Sequence, residues 1–149
     1  MGTHHKGSKK EITALNTYIK LVRAVESLNQ RLYPYLTKHS LTESQFAVLE
    51  ALYHLGPLNQ RELSTKLLRS PGNITMVIDN LEKRKFVKRE RGELDRRHYI
   101  IHLTSEGKEF ISKIFPEHLE SIMKELGVLS DDEQHELQKM CKKLGLKEG

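Results

Sequence analysis

The sequence predicts a mainly α-helical chain that carries one small β-hairpin. Three observations point there. Apolar residues step by three and four over most of the chain, and helix-start signatures stand in front of these stripes. A single pair of β-prone runs, 87–91 and 99–103, flanks a polar tip. At 149 residues, 37% hydrophobic and 30% charged, the chain is large enough to bury a core and reads as globular rather than disordered.

Residues 1–10, with the His4-His5 pair, read as a flexible tail and enter no functional argument. From Ile12 through Leu15, Ile19, Val22, Val25, Leu28 and Leu32 to Leu36, one amphipathic helix is predicted over 11–39. So long a stripe needs a partner, either other helices or a second subunit. Thr42 and Gln45 form a capping box, with Leu41 and Phe46 as its hydrophobic staple, and the helix they start stops at Gly56-Pro57. Asn59, Glu62, Leu58 and Leu63 repeat the arrangement, and the short helix that follows is expected to turn Leu63, Leu67 and Leu68 inward. Ser70 caps a third helix with Pro71 at its first position, and its buried face is Ile74, Val77, Ile78 and Leu81.

Two short helices joined tightly through Leu68-Arg69-Ser70 make a helix-turn-helix. The hairpin of 87–91 and 99–103 comes directly after, so it is a wing, and 40–103 reads as a winged helix-turn-helix DNA-binding domain. Thr104 caps a helix whose apolar stripe runs from Phe110 to Leu126, with a kink expected at Pro116. Ser130 and Glu133 box a last helix bearing Leu137, Met140, Cys141 and Leu144. The N- and C-terminal helices, 11–39 and 104–149, thus carry apolar stripes outside the winged core, and a dimerisation lobe of a homodimer is the economical solution.

Charge supports the nucleic-acid reading. Net charge is +5, and residues 83–97 alone hold 8 basic and 3 acidic groups, while the two flanks cancel. A basic run beside a helix-turn-helix is an electrostatic footprint for phosphates. The lone Cys141 excludes an internal disulfide, fits a cytoplasmic location, and reads as a core residue. No stretch reaches the ~20 apolar residues of a membrane span. No glycine-rich phosphate loop or nucleophile elbow asks for an enzyme. His98 and His102 share a strand face, but at about 13 Å they cannot bind one ion. His39, Glu117 and His118 lack a visible remainder of a ligand set, so neither metal nor cofactor is expected.

The run Asp95-Arg96-Arg97-His98-Tyr99-Ile100-Ile101-His102-Leu103-Thr104 resembles the D-R-R-x-x-x-V-x-L-T wing pattern of the MarR (multiple antibiotic resistance regulator) family. Gln60-Arg61-Glu62-Leu63, the stretch from Ile74 to Val87, and the continuation Thr104-Ser105-Glu106-Gly107 are also similar to that family. The resemblance covers residues 11–146. It implies a homodimeric transcriptional regulator, a repressor in most members, on a pseudo-palindromic double-stranded operator. It also implies release from DNA by a small phenolic or lipophilic effector. The reactive cysteine that peroxide-sensing members carry near the start of the first helix has no counterpart here.

The DNA-binding candidates follow from the predicted placement. On the recognition helix and its turn they are Ser70, Gly72, Asn73, Thr75, Met76 and Asp79, with Asn73 suited to a bidentate contact on adenine. Arg61, Lys66 and Arg69 face phosphates beside it. On the wing they are Arg89, Arg91, Arg96 and Arg97, with Asp95 positioning a neighbouring arginine. An effector pocket is expected where the first, second and fifth helices meet, walled by Tyr35, His39, Leu52 and Phe115. Two alternatives stay open at this point: a ligand-independent regulator, and a winged-helix protein-interaction module.

Overall fold

A computed structural model describes residues 1–93 and 98–147 of the chain. Its elements in order are α1 (Lys9–Lys38), α2 (Glu43–Leu55), β1 (Leu58–Asn59), α3 (Gln60–Leu67), α4 (Pro71–Lys83), β2 (Val87–Arg91), β3 (Tyr99–Leu103), α5 (Ser105–Leu126) and α6 (Asp131–Leu146). The hairpin β2–β3 pairs Val87 with Leu103 and Arg91 with Tyr99, and β1 adds to the other edge of β3 through Leu58 opposite Ile101. The sheet order is therefore β1-β3-β2, fully antiparallel.

The caps explain the boundaries. Thr42 and Gln45 form the expected reciprocal box, as do Ser130 and Glu133. Each such cap contributes about 1 kcal/mol. α1 starts at Lys9 because Ser8 and Glu11 make a third box inside the stretch read as tail. That box holds the Glu11 carboxyl below the usual carboxylate range, first through the backbone and then the hydroxyl of Ser8. α5 runs unbroken through Pro116.

The core is built by α2, α3, α4, the sheet and the first half of α5. Val48, Leu49, Leu63, Ile74, Ile78, Leu81, Ile101 and Ile111 are fully enclosed there. Outside it, much of the apolar stripes of α1 and α6 stays uncovered by the described residues. Of the 30 residues of α1 only Leu36 is buried, and α6 buries none. Leu15, Val22 and Val25 on α1 and Leu137, Met140 and Leu144 on α6 are exposed. Cys141, expected in a core, is exposed as well, because α6 buries no residue against the described part of the chain. Among the described residues no helix is long and apolar enough to cross a membrane.

Gly107 fixes how α5 leaves the sheet. A Cβ at this position would lie 2.0 Å from the carbonyl oxygen of Phe86. Thr104 completes the join: its backbone N–H donates to the Phe86 carbonyl and its hydroxyl to the Lys85 carbonyl, while it caps α5 by accepting from Gly107. The Thr104-Ser105-Glu106-Gly107 sequence is thus a clasp between the exit of α4 and the start of α5.

Candidate nucleic-acid interface

α4 is held by its inner face and exposed on its outer one. Ile74, Val77, Ile78 and Leu81 are buried, whereas Gly72, Thr75, Met76, Asp79 and Lys83 are exposed one helical turn apart. The N-terminus of α4 is exposed, with Ser70 accepting from the Asn73 amide and Pro71 at the first position. A helix with one face exposed in this way offers a row of side chains and its N-terminal amides to a groove and to phosphates.

The turn before it is built by three local contacts. Leu68 ends α3 in the left-handed region at φ 52°, ψ 44°, the Ser64 hydroxyl donates to the Arg69 carbonyl, and the Arg69 amide returns to the Ser64 carbonyl. The left-handed turn throws Leu68 outward. It is 89% exposed, not inward-facing as its place in the apolar pattern implied. A non-glycine residue in this conformation costs roughly 1–2 kcal/mol, offset here by the closed turn. Arg69 pairs with Glu43 of α2 at 3.0 Å, so this expected phosphate ligand also anchors the turn. Glu43 in turn faces the Tyr33 hydroxyl, whose pKa is pushed up to about 12 by burial first and by Glu43 second. Arg61 is exposed on the outer side of α3.

Asn73 is half-buried rather than fully exposed, and its Oδ1 is enclosed without a hydrogen-bond partner. An unpaired enclosed amide oxygen is costly, so the side chain gains by turning toward a partner. At the far end of α4, Arg84 donates to the carbonyls of Ser40 and His39 and lies over the rings of Phe86 and Phe110. Both ends of the α4 region are therefore tied to the α1–α2 side of the molecule by an arginine, a signal invisible in composition.

On the wing, Arg91 is exposed and lies over the Tyr99 ring at 5.8 Å. Arg89 differs. Its guanidinium is 18% exposed and engages Asp79, Glu82, Gln60 and the Thr75 carbonyl, so it is not the free basic group expected of a wing arginine. Asp95, Arg96 and Arg97 lie outside the described residues. Gln60 and Glu82 had not been singled out as site residues, and only their long-range contacts reveal them.

The expected pocket residues divide. Tyr35 and His39 meet edge to face at 5.0 Å, and His39 also meets Phe110, while its enclosed Nε2 has no partner. The Tyr35 hydroxyl donates to the Ile114 carbonyl, and burial raises its pKa, with Glu117 adding to the rise. Phe115 packs on His54 at 4.6 Å and on Tyr53. Leu52 is 3% exposed and lies in the core. Among the described residues no group of His, Cys, Asp and Glu is placed to hold a metal ion.

Comparison with known proteins agrees with this architecture. The MarR family model matches residues 41–99. The HTH-type transcriptional regulator YkoM of Bacillus subtilis is 38% identical over 133 residues, covering 89% of this chain and 86% of that protein. AbsC, a MarR family transcriptional regulator from Streptomyces coelicolor, superposes with a TM-score of 0.85 at 22% identity, over 96% of this chain and 97% of AbsC. BpsR of Bordetella bronchiseptica, whose DNA binding is regulated by 6-hydroxynicotinic acid, superposes with a TM-score of 0.78 at 22% identity, over 87% of this chain and 98% of BpsR.

Proposed function

From the premise that this chain belongs to the MarR family of winged helix-turn-helix, DNA-binding transcriptional regulators, we propose that it is a homodimeric repressor of a pseudo-palindromic operator, released by a small aromatic effector. The observation that carries the reading is the two-sided character of α4: one face locked in the core, the other an exposed row from Gly72 through Thr75 and Met76 to Lys83. In this reading α4 enters the major groove, with Asn73 and Thr75 toward base edges and Arg61 and Ser70 toward phosphates. The wing follows the adjacent minor groove, where Arg91, Arg96 and Arg97 meet its negative potential and Asp95 positions a neighbouring guanidinium.

The dimer is supported by the uncovered apolar faces of α1 and α6, which a copy of the same chain would bury symmetrically. Two α4 helices would then meet successive major grooves about 34–36 Å apart. The effector class is supported by BpsR, which answers to a hydroxylated aromatic acid. In this chain the aromatic neighbourhood of Tyr35, His39 and Phe115 is the place for such a ring. Selection of genomic fragments by the purified chain, with light scattering on the free and bound protein, tests the reading. It predicts a dimer that enriches palindromic sites. A monomer in dilute solution, or enrichment of no common sequence, counts against it.

A further inference from the structure

An aspartate in the middle of a DNA-facing row is electrostatically misplaced. Asp79 is exposed on the outer face of α4, and Glu82 follows less than one turn later. Both would repel phosphates. Both are instead turned onto Arg89 of β2. The three guanidinium nitrogens are each committed: Nη2 to Asp79 and to the Thr75 carbonyl at 3.4 Å, Nη1 to Glu82 at 3.1 Å, and Nε to Gln60 at 3.2 Å. The Arg89 backbone amide donates to the second carboxylate oxygen of Glu82 at 3.3 Å, and Gln60 closes the ring by donating to the Thr75 hydroxyl at 3.2 Å. One side chain thus gathers α3, α4 and the root of the wing.

We propose that Arg89 is a positioning residue that locks the wing to the recognition helix, so that helix and wing meet DNA as one unit of fixed geometry. The inference rests on the DNA-binding reading above and adds a determinant of operator specificity to it. A planar fork with five donors can bridge two carboxylates, an amide oxygen and a backbone carbonyl at once. An ammonium cannot reproduce that geometry, although it serves a phosphate well. If the wing could swing against α4, a duplex that suits one of them would no longer present the other's groove at the right offset. Affinity for the correct operator would fall while the attraction to any duplex would persist.

The test uses the 149-residue chain, a duplex selected from the genome and a scrambled duplex of the same length, titrated over a range of salt. Arg89→Lys should lose roughly ten-fold of operator affinity and nothing on the scrambled duplex, with the wild-type salt dependence. A lost phosphate contact would instead flatten the salt slope by about 0.9 and weaken both duplexes alike. Asp79→Asn should also weaken operator binding, although removing a negative charge from the DNA-facing row favours binding on electrostatics alone. The double variant should be no weaker than Arg89→Lys. Thermal unfolding checks that the variants fold, and Asp79→Asn keeps the bonds of Arg89 to Gln60 and Glu82, so it carries the test if Arg89→Lys does not fold. Tighter binding by Asp79→Asn, or wild-type operator affinity in Arg89→Lys, overturns the lock. Failure of the wild-type chain to prefer the selected duplex would overturn the DNA-binding reading itself.

Discussion

α4 and α6 are both capped, amphipathic helices of moderate length, yet they end in opposite situations. α4 spends its apolar face on the core of its own chain, burying Ile74, Val77, Ile78 and Leu81. α6 carries Leu137, Met140 and Leu144 on one side and buries none of them. The same 3.6-residue periodicity therefore serves two purposes. Where the apolar face is satisfied inside the chain, the polar face is left to bind something. Where it is not, the apolar face itself is the binding surface. The contrast matches the proposed division, with DNA on one helix and a second copy on the other.

Substitutions can break this contrast in order of expected effect. Ile78→Ala, at a fully enclosed site, should cost about 2–5 kcal/mol of stability in denaturant unfolding. Leu137→Glu on α6 should leave secondary structure intact but produce a monomer in light scattering with little operator affinity. A dimeric Leu137→Glu variant would remove α6 from the interface.

Gly107→Ala tests a third kind of helix contact, at the clasp. The new methyl group cannot coexist with the Phe86 carbonyl 2.0 Å away, so the start of α5 must shift, at roughly 1–3 kcal/mol in thermal unfolding. Wild-type stability in this variant would mean that the clasp is looser than its geometry implies. Asn73→Ala should unfold like the wild type or slightly later, since its enclosed Oδ1 lacks a partner in the free chain. It should still lose about 1–3 kcal/mol of binding at one operator base pair. Equal weakening on every sequence would reduce Asn73 to a phosphate contact.

The order of the helices and the hairpin strands was legible because capping and periodicity are local signals. Thr42, Asn59, Ser70, Thr104 and Ser130 each stand where the structure starts a helix. β1 was not legible: two residues, Leu58 and Asn59, are too few to show alternation, and only pairing with β3 makes them a strand. The Ser8–Glu11 box was passed over because it lies in a segment that looks like a tail. The fate of Leu68 depended on a left-handed φ that no apolar pattern reports. Arg89 was read by its sign alone. In sequence it belongs to a basic run, and only contacts 7 to 29 residues away reveal that its charge is spent within the chain.

A smaller effect concerns pH. His118 packs on Phe46 at 4.4 Å, and burial lowers its pKa from the ordinary 6.5, with Glu50 opposing. The unfolded chain then binds this proton more readily than the folded one, so stability is fully present above pH 6.5 and declines as pH falls below it. His118→Gln should flatten that decline in unfolding curves taken from neutral to mildly acidic pH. An unchanged decline would assign it to other groups.

The central claim is that two copies of α4 read two half-sites on one face of a duplex. Its most direct measurement is the affinity for a selected palindromic operator compared with the same half-sites moved apart by half a helical turn. The account predicts that the moved sites bind no better than scrambled DNA, because the proposed dimer would hold its recognition helices one turn apart and could not follow the rotation. Equal affinity for the native and the rotated operator would contradict it.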